Sequence, residues 1–312
     1  MLDIVTSMMV VAIPAATPLI FGALSGLFCE RAGVVNIAIE GMMLSAAFAG
    51  FIAGVYTHNL GIALIVAVLT GGLMAALHAL LSIEFLVDQI ISGTVINILA
   101  IGLTGYLDRQ IFPTGAPGGQ RTFPHIEIPV LSDIPYVGEI FFSHGPIVYL
   151  AFIMVVISHI VLFKTRAGLR VRAVGEHPLA AETAGVSVIR VRYLAVIAGG
   201  MLAGLGGAYF TLQSIPQFQP LMTNGRGFIA LAALIFGKWT PFGALGAALF
   251  FAVAETIPST LQIQGVDSIL GVEIPYQIFG LLPYVLTILV LAGAVGRATP
   301  PASVGVPYVR KG

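Results

Sequence analysis

The sequence predicts an all-α, polytopic membrane protein with about eight to ten transmembrane helices, some of them broken or half helices. Three observations carry that reading. Hydrophobic residues make up 58% of the 312 and charged residues only 9%, with a mean hydropathy of +1.00; a soluble domain has roughly a quarter of its residues charged. Several separate apolar runs are long enough to cross about 30 Å of hydrocarbon as helices. The third observation is where charge lies. The stretch from Lys164 to Arg192 holds six of the 14 Lys and Arg between two long apolar segments, and such an excess marks a cytoplasmic loop.

Apolar spans fall at residues 4–28, 34–56, 60–82, 90–107, 145–163, 193–212, 228–237, 242–260 and 276–296, which gives eight or nine crossings. The first opens on MLDIVTSMMV, with Asp3, no basic residue and no convincing cleavage site, so it reads as a retained membrane helix rather than a signal peptide. The span at 228–237 is too short to cross alone. It is either part of a longer tilted element or a half-helix ending inside the bundle, and the glycines and basic residues around it favour the broken element. In the plainer reading Arg226 and Lys238 only snorkel to an interface. Glu255 falls toward the outer end of its span, where solvent reaches it.

Orientation follows by counting from the basic loop. The tail, 297–312, returns to the cytoplasm with Arg297, Arg310 and Lys311, and 108–144 lies outside as an irregular segment rich in proline (Pro113, Pro117, Pro124, Pro129, Pro135). Ser82–Gln89 and Cys29–Gly33 face inside, which puts the N-terminus outside. Lys164, Arg166, Arg170, Arg172, Arg190 and Arg192 read as inner-surface anchors. Between them GEHPLAAETAG reads as a turn followed by a short Ala-rich helix that starts near Pro178 and stops at Gly185.

Gly22 and Gly26, Gly50 and Gly54, and Gly200 and Gly204 have helix-contact spacing and read as ordinary close packing. Gly71-Gly72-Leu73-Met74 echoes Gly199-Gly200-Met201-Leu202, a pattern that suits either repeated halves or coincidence.

Catalytic chemistry finds little support. The lone Cys29 excludes an intrachain disulfide and a cysteine-based metal cluster. Gly237-Lys238 lacks the Ser or Thr and the glycine-rich lead-in of a P-loop, and the six histidines show no paired ligand spacing. The expectation is therefore no catalytic residue, no cofactor and no metal. Charges and amides inside apolar spans say more, because burying them is costly. Asn36 and Glu40, four residues apart, are placed on one helix face, either in a translocation path or as a bracket for a broken helix. Hydrogen bonding to nearby backbone is the equally weighted alternative. Asn97 is read first as an interhelical hydrogen bond and second as a solute contact, and His78 and His159 as packing positions.

Three stretches, GVVNIAIEGMM at Gly33–Met43, GEHPLAAETAGV at Gly175–Val186 and GRGFIALAALIFGKWTPFGA at Gly225–Ala244, resemble the permease subunits of bacterial ABC importers of the branched-chain amino acid, ribose and nucleoside group. The likeness is closest to the nucleoside-type, or simple-sugar, permeases and covers nearly the whole chain. It implies one transmembrane permease domain over 1–312 in the bacterial inner membrane, working with a cytoplasmic ATPase, a second identical or homologous permease and an extracytoplasmic substrate-binding protein. No nucleic acid is involved, and lipid is the remaining neighbour. By that resemblance Gly175, Glu176, Pro178, Ala181, Thr183, Ala184 and Gly185 form the coupling segment that docks on the ATPase. Asn36, Glu40 and Asn97 fall beside the pathway. The implied cargo is a nucleoside, with a pentose-like sugar as the alternative. An ion-coupled secondary transporter is the rival of another class; it would draw on intramembrane acids, for which only Glu40, Glu84, Asp88 or Glu255 are available.

Overall fold

Inside lipid every backbone N–H and C=O needs a partner from the protein itself, so apolar runs of this length become helices. The computed structural model describes residues 2–113, 115, 121–263, 268–269, 272–273, 285 and 298–309. In chain order its helices are α1 (Leu2–Arg31), α2 (Ile39–Thr57), α3 (Leu60–Ala79), α4 (Gln89–Ile111), α5 (Val137–Phe141), α6 (Pro146–Lys164), α7 (Arg166–Glu176), α8 (Pro178–Thr183), α9 (Val188–Tyr209), α10 (Arg226–Phe236) and α11 (Pro241–Ile263). Short π-helical turns, Leu80–Glu84 and Phe210–Ser214, extend α3 and α9. Two two-residue antiparallel pairs, Ile126–Glu127 with Ser143–His144 and Ser268–Ile269 with Val272–Glu273, are the strands among the described residues.

Seven of these segments are long and apolar enough to cross a membrane, and α10 is the short apolar one. The expected span at 276–296 lies outside the described residues except for Val285, as do Arg297, Arg310, Lys311 and Pro117. The second span differs from expectation. Its helix starts only at Ile39, and residues 34–38 form a non-helical connector. Gly33 makes this possible: its φ of +88° turns the chain away from α1 in a region L side chains avoid.

The core is organised by two broken hairpins of opposite direction. Helix α1 packs antiparallel to α9, with Ser25 and Cys29 against Gly199 and Pro18 and Phe21 against Gly206. Helix α10 runs parallel to α1, seating Ala230 at Gly22 and Leu234 at Gly26. Helix α2 runs parallel to α9, with Met43 and Ala46 at Gly207. Exchanging α1 with α9 and α2 with α10 therefore maps one hairpin onto the other with inverted topology, a common transporter plan. The Gly71 and Gly200 stretches are partners rather than equivalents: α3 crosses α9 there, and a Cβ on Gly204 would stand 2.7 Å from the Ala67 carbonyl oxygen.

The two ends of the bundle are distinct. Helices α7 and α8 sit at the end reached by α6, packed with residues 298–309. Residues 121–145 cap the opposite end, where Gln213 accepts from the Ile147 amide and the Phe123 amide bonds the Leu212 carbonyl.

Candidate translocation site and coupling face

A non-helical connector at membrane depth needs its backbone satisfied by side chains, and residues 34–38 receive four such bonds. The Val35 amide donates to Gln89 Oε1 at 2.7 Å, and the Val35 carbonyl lies 2.9 Å from His78 Nε2. Because a carbonyl only accepts, His78 carries its proton on Nε2, which leaves Nδ1 to accept from Ser92 Oγ at 3.0 Å. The Ala38 amide donates to Asn36 Oδ1 (3.1 Å), and Asn97 Nδ2 donates to the Ile37 carbonyl (3.0 Å). Asn97 Oδ1 then accepts from the Gly41 amide at 2.7 Å, one of the donors the first turn of α2 leaves unpaired. Asn36 thus precedes α2 instead of sharing a helix face with Glu40. Its amide group points to sulfur, at Cys29 Sγ (3.4 Å) and Met42 Sδ (3.7 Å).

Glu40 does for α10 what Asn97 does for α2. Its Oε1 accepts from Thr223 Oγ1 (2.6 Å) and the Gly225 amide (2.8 Å), and its Oε2 from the Gly227 amide (2.7 Å). Gly225 enters the helix with φ +79°, and a Cβ on Gly227 would stand 2.6 Å from Glu40 Cα. The N-termini of α2 and of the short α10 therefore meet inside the bundle. The carboxylate sits where exposed amides and the helix dipole favour negative charge. Glu40 is 8% exposed, so this is an internal joint rather than a surface.

Below that joint, α10 ends against α1. Arg31 donates through Nε (2.9 Å) and Nη2 (2.6 Å) to the Trp239 carbonyl, and Trp239 Nε1 donates to Glu30. Lys238 is exposed, while Arg226 is ion-paired with Glu255 (3.0 Å) instead of reaching an interface. Glu255 is accordingly a paired residue, with its side chain 37% exposed.

At the coupling end, Thr165 caps α7 through the Gly168 amide, and Pro178 opens α8, which stops ahead of Gly185. The basic run was expected to be a polar interruption; its first half is helix α7. Gly175 packs so closely on the Arg31 carbonyl that any Cβ would collide with it. Ala181 is buried, whereas Thr183, Ala184 and Gly185 face outward. Glu176 accepts from the Ala302 amide (3.1 Å), and Ser303 bonds Gly175 and Glu176 through its amide (2.8 Å) and hydroxyl (3.1 Å). Arg192 is 1% exposed, donates to the Val306 carbonyl (3.1 Å) and lies under the Tyr308 ring, so it is a core residue and not a surface anchor. Tyr308 in turn donates to Glu182. Between α7 and α8 runs a groove of about 590 Å³ lined by Leu169, Ala173, Ala180 and Ala184, with Arg166 and Arg170 on its rim.

Sequence reasoning named Asn36, Glu40 and Asn97 and missed Gln89, Ser92 and Thr223. The signals were thin: Gln89 and Ser92 sit in the first turn of an apolar span, and Thr223 just before the Asn-Gly break. Among the described residues no three His, Cys, Asp or Glu side chains gather as a metal ion would need.

A membrane-length helix and a short one meeting N-terminus to N-terminus inside an apolar bundle, with irregular backbone sealed by side chains, define a multi-pass membrane transport protein. The chain belongs to the family described as branched-chain amino acid transport system / permease component, whose model matches residues 8–291. It is 44% identical over 306 residues to the guanosine ABC transporter permease protein NupQ of Bacillus subtilis, covering 95% of this chain and 94% of that one. It is 37% identical to the nucleoside ABC transporter permease protein NupC of Lactococcus lactis, over 95% and 94% of the two chains. A putative glucose ABC transporter permease protein of Haloferax volcanii is likewise 37% identical, over 95% and 93%. No solved structure matches the chain.

Proposed function

We propose that this chain is the membrane-spanning subunit of an ATP-driven nucleoside importer, itself without catalytic activity. The observation that carries the reading is its 44% identity, nearly end to end, to a guanosine ABC transporter permease. A cytoplasmic ATPase supplies the work, an extracytoplasmic binding protein delivers the solute, and a second permease, identical or paralogous, completes the pathway. Gly175, Glu176, Pro178, Ala181, Thr183, Ala184 and Gly185 form the segment that docks on the ATPase, with Gly175 and Ala181 packed inward and Thr183, Ala184 and Gly185 facing out. The outward face of α8 and its neighbouring apolar groove support that role, since a partner is what would cover them.

Motion of this segment reaches the membrane through short contacts. Gly175 presses on Arg31, where α1 gives way to the connector, and the connector hands force to α2 and, through Glu40, to α10. Asn36, Glu40 and Asn97 border the pathway as brackets that keep the starts of α2 and α10 joined while they move. ATP binding would then bias two packings of one bundle, since a ligand shifts an equilibrium only by its differential affinity for the two states.

A glucose-type cargo is the second reading, favoured by the Haloferax relative at 37% identity. Reconstituting the permease with its ATPase and binding protein and measuring radiolabelled guanosine and glucose uptake separates the two. Guanosine uptake that requires ATP is expected; uptake of glucose alone would replace the cargo, and uptake driven by an ion gradient without the ATPase would overturn the mechanism.

A further inference from the structure

Glu40, Asn97 and His78 are buried, and each already bonds the connector, the start of α2 or the start of α10, so they hold the joint. The Arg226–Glu255 pair differs. Helix α10 rises about 15 Å from Phe236 to Arg226, and Glu255 lies about 21 Å along α11 from Pro241. These values place the pair at or past the middle of about 30 Å of hydrocarbon. Ionised groups at that depth face a cavity, a water path or another chain, because lipid contact is too costly.

Three features make the pair fit a solute. Its side chains are 24% and 37% exposed, so it opens on the surface of the chain. It is incompletely satisfied: only Nη2 and Oε1 meet, at 3.0 Å, while Arg226 Nε and Glu255 Oε2 are buried with no protein partner. An unmet buried group is a standing cost that a small rotation toward a solute would relieve. The approach is also uncharged, with polar side chains set among the exposed Ile215, Pro216, Pro220 and Leu221. Ser214, Gln217, Gln219 and Asn224 are exposed along the segment that leads from α9 down to α10. Phe210 is buried beneath the guanidinium, 5.6 Å from its ring centre, and fixes Arg226 rather than meeting the solute itself.

We propose that the Arg226–Glu255 pair is the intramembrane station that holds the solute in transit, the carboxylate accepting from hydroxyl or N–H groups and the guanidinium donating to carbonyl or ring nitrogen. Because the two charges cancel, the station takes uncharged, hydroxyl-bearing solutes. An anionic solute would compete with Glu255 for Arg226 and break the pair. The assignment rests on the importer reading and adds the residues that touch the cargo.

The test uses the assembled complex with saturating binding protein. Glu255→Gln keeps the shape and removes the strong acceptor. It is expected to lower guanosine transported per ATP hydrolysed by about tenfold and to shrink the preference for guanosine over 2′-deoxyguanosine, as loss of a polar contact does. Assembly and stimulated ATP hydrolysis should persist. Arg226→Gln should behave alike, and the double variant should be no worse than either single one. A second measurement places Glu255→Cys in a Cys29→Ser background and labels it with a water-soluble maleimide. Labelling slowed by guanosine-loaded binding protein is expected. An unchanged preference between the two nucleosides, or a position 255 that never labels because the second permease covers it, overturns the station. Failure of the wild-type complex to import guanosine would instead remove the importer reading, while the labelling result would still stand.

Discussion

Removing the Glu40 carboxylate tests the joint between the starts of α2 and α10. Glu40 accepts from Thr223 Oγ1, the Gly225 amide and the Gly227 amide at 2.6, 2.8 and 2.7 Å, and no other acceptor among the described residues serves those amides. Hydrogen bonds to a charged group contribute about 1.5–3 kcal/mol each, and an unmet buried donor costs about 1–3 kcal/mol. Glu40→Gln preserves two acceptor bonds through its carbonyl oxygen but turns an N–H₂ toward Gly227, so a loss of about 2–3 kcal/mol follows. Glu40→Ala strands all three donors; with water admitted to part of the space, about 4–6 kcal/mol is expected. The assay is amide hydrogen exchange over residues 223–230 in nanodiscs, read beside guanosine uptake. Exchange should rise in the order wild type, Gln, Ala, and uptake should fall in the same order while α1 and α9 keep their protection. A double cycle with Thr223→Val should give a coupling of about 1 kcal/mol or more. Unchanged exchange at Gly225–Gly227 in Glu40→Ala would refute the capping account.

At the coupling face, Gly175→Leu drives a side chain into the Arg31 carbonyl, so uptake should fall more than tenfold while the chain still inserts, checked by transport against membrane yield. Tyr308→Phe removes the bond to Glu182 and should loosen residues 298–309, raising their protease sensitivity and lowering transport per ATP, with a stability loss of about 1 kcal/mol. His144 is buried in the cap, and burial there, aided by nearby His125, pushes its imidazole below the ordinary value. The neutral ring is thus the native form. Cap stability is full above about pH 6.5 and declines as pH falls through that value toward the depressed native one, because the unfolded form gains its proton first. Hydrogen exchange of residues 126–144 at pH 7.5 and pH 5 checks this, and His144→Gln should flatten the difference.

The membrane class, the helices and the position of the basic loop were legible because they follow from hydropathy and from Lys and Arg placement, which act locally. Glycine bracketing also announced that α10 breaks. The connector at 34–38 was not legible, since Val-Val-Asn-Ile-Ala is as apolar as a helix. What unwinds it is the supply of partners from Gln89, His78 and Asn97, which lie more than 40 residues away in the sequence. For the same reason Arg226 and Glu255 read as unrelated charges: their pairing spans 29 positions and two helices. Arg192 misled by composition, because charge alone does not reveal that the chain near its C-terminus folds over it.

Energised transport tests the importer assignment most directly. In proteoliposomes holding the complete complex and no ion gradient, guanosine should accumulate only with ATP and the ATPase, and replacing Gly175–Gly185 by a Gly/Ser linker should abolish uptake without removing the chain from the membrane. Accumulation that proceeds without the ATPase, or that survives replacement of that segment, would contradict it.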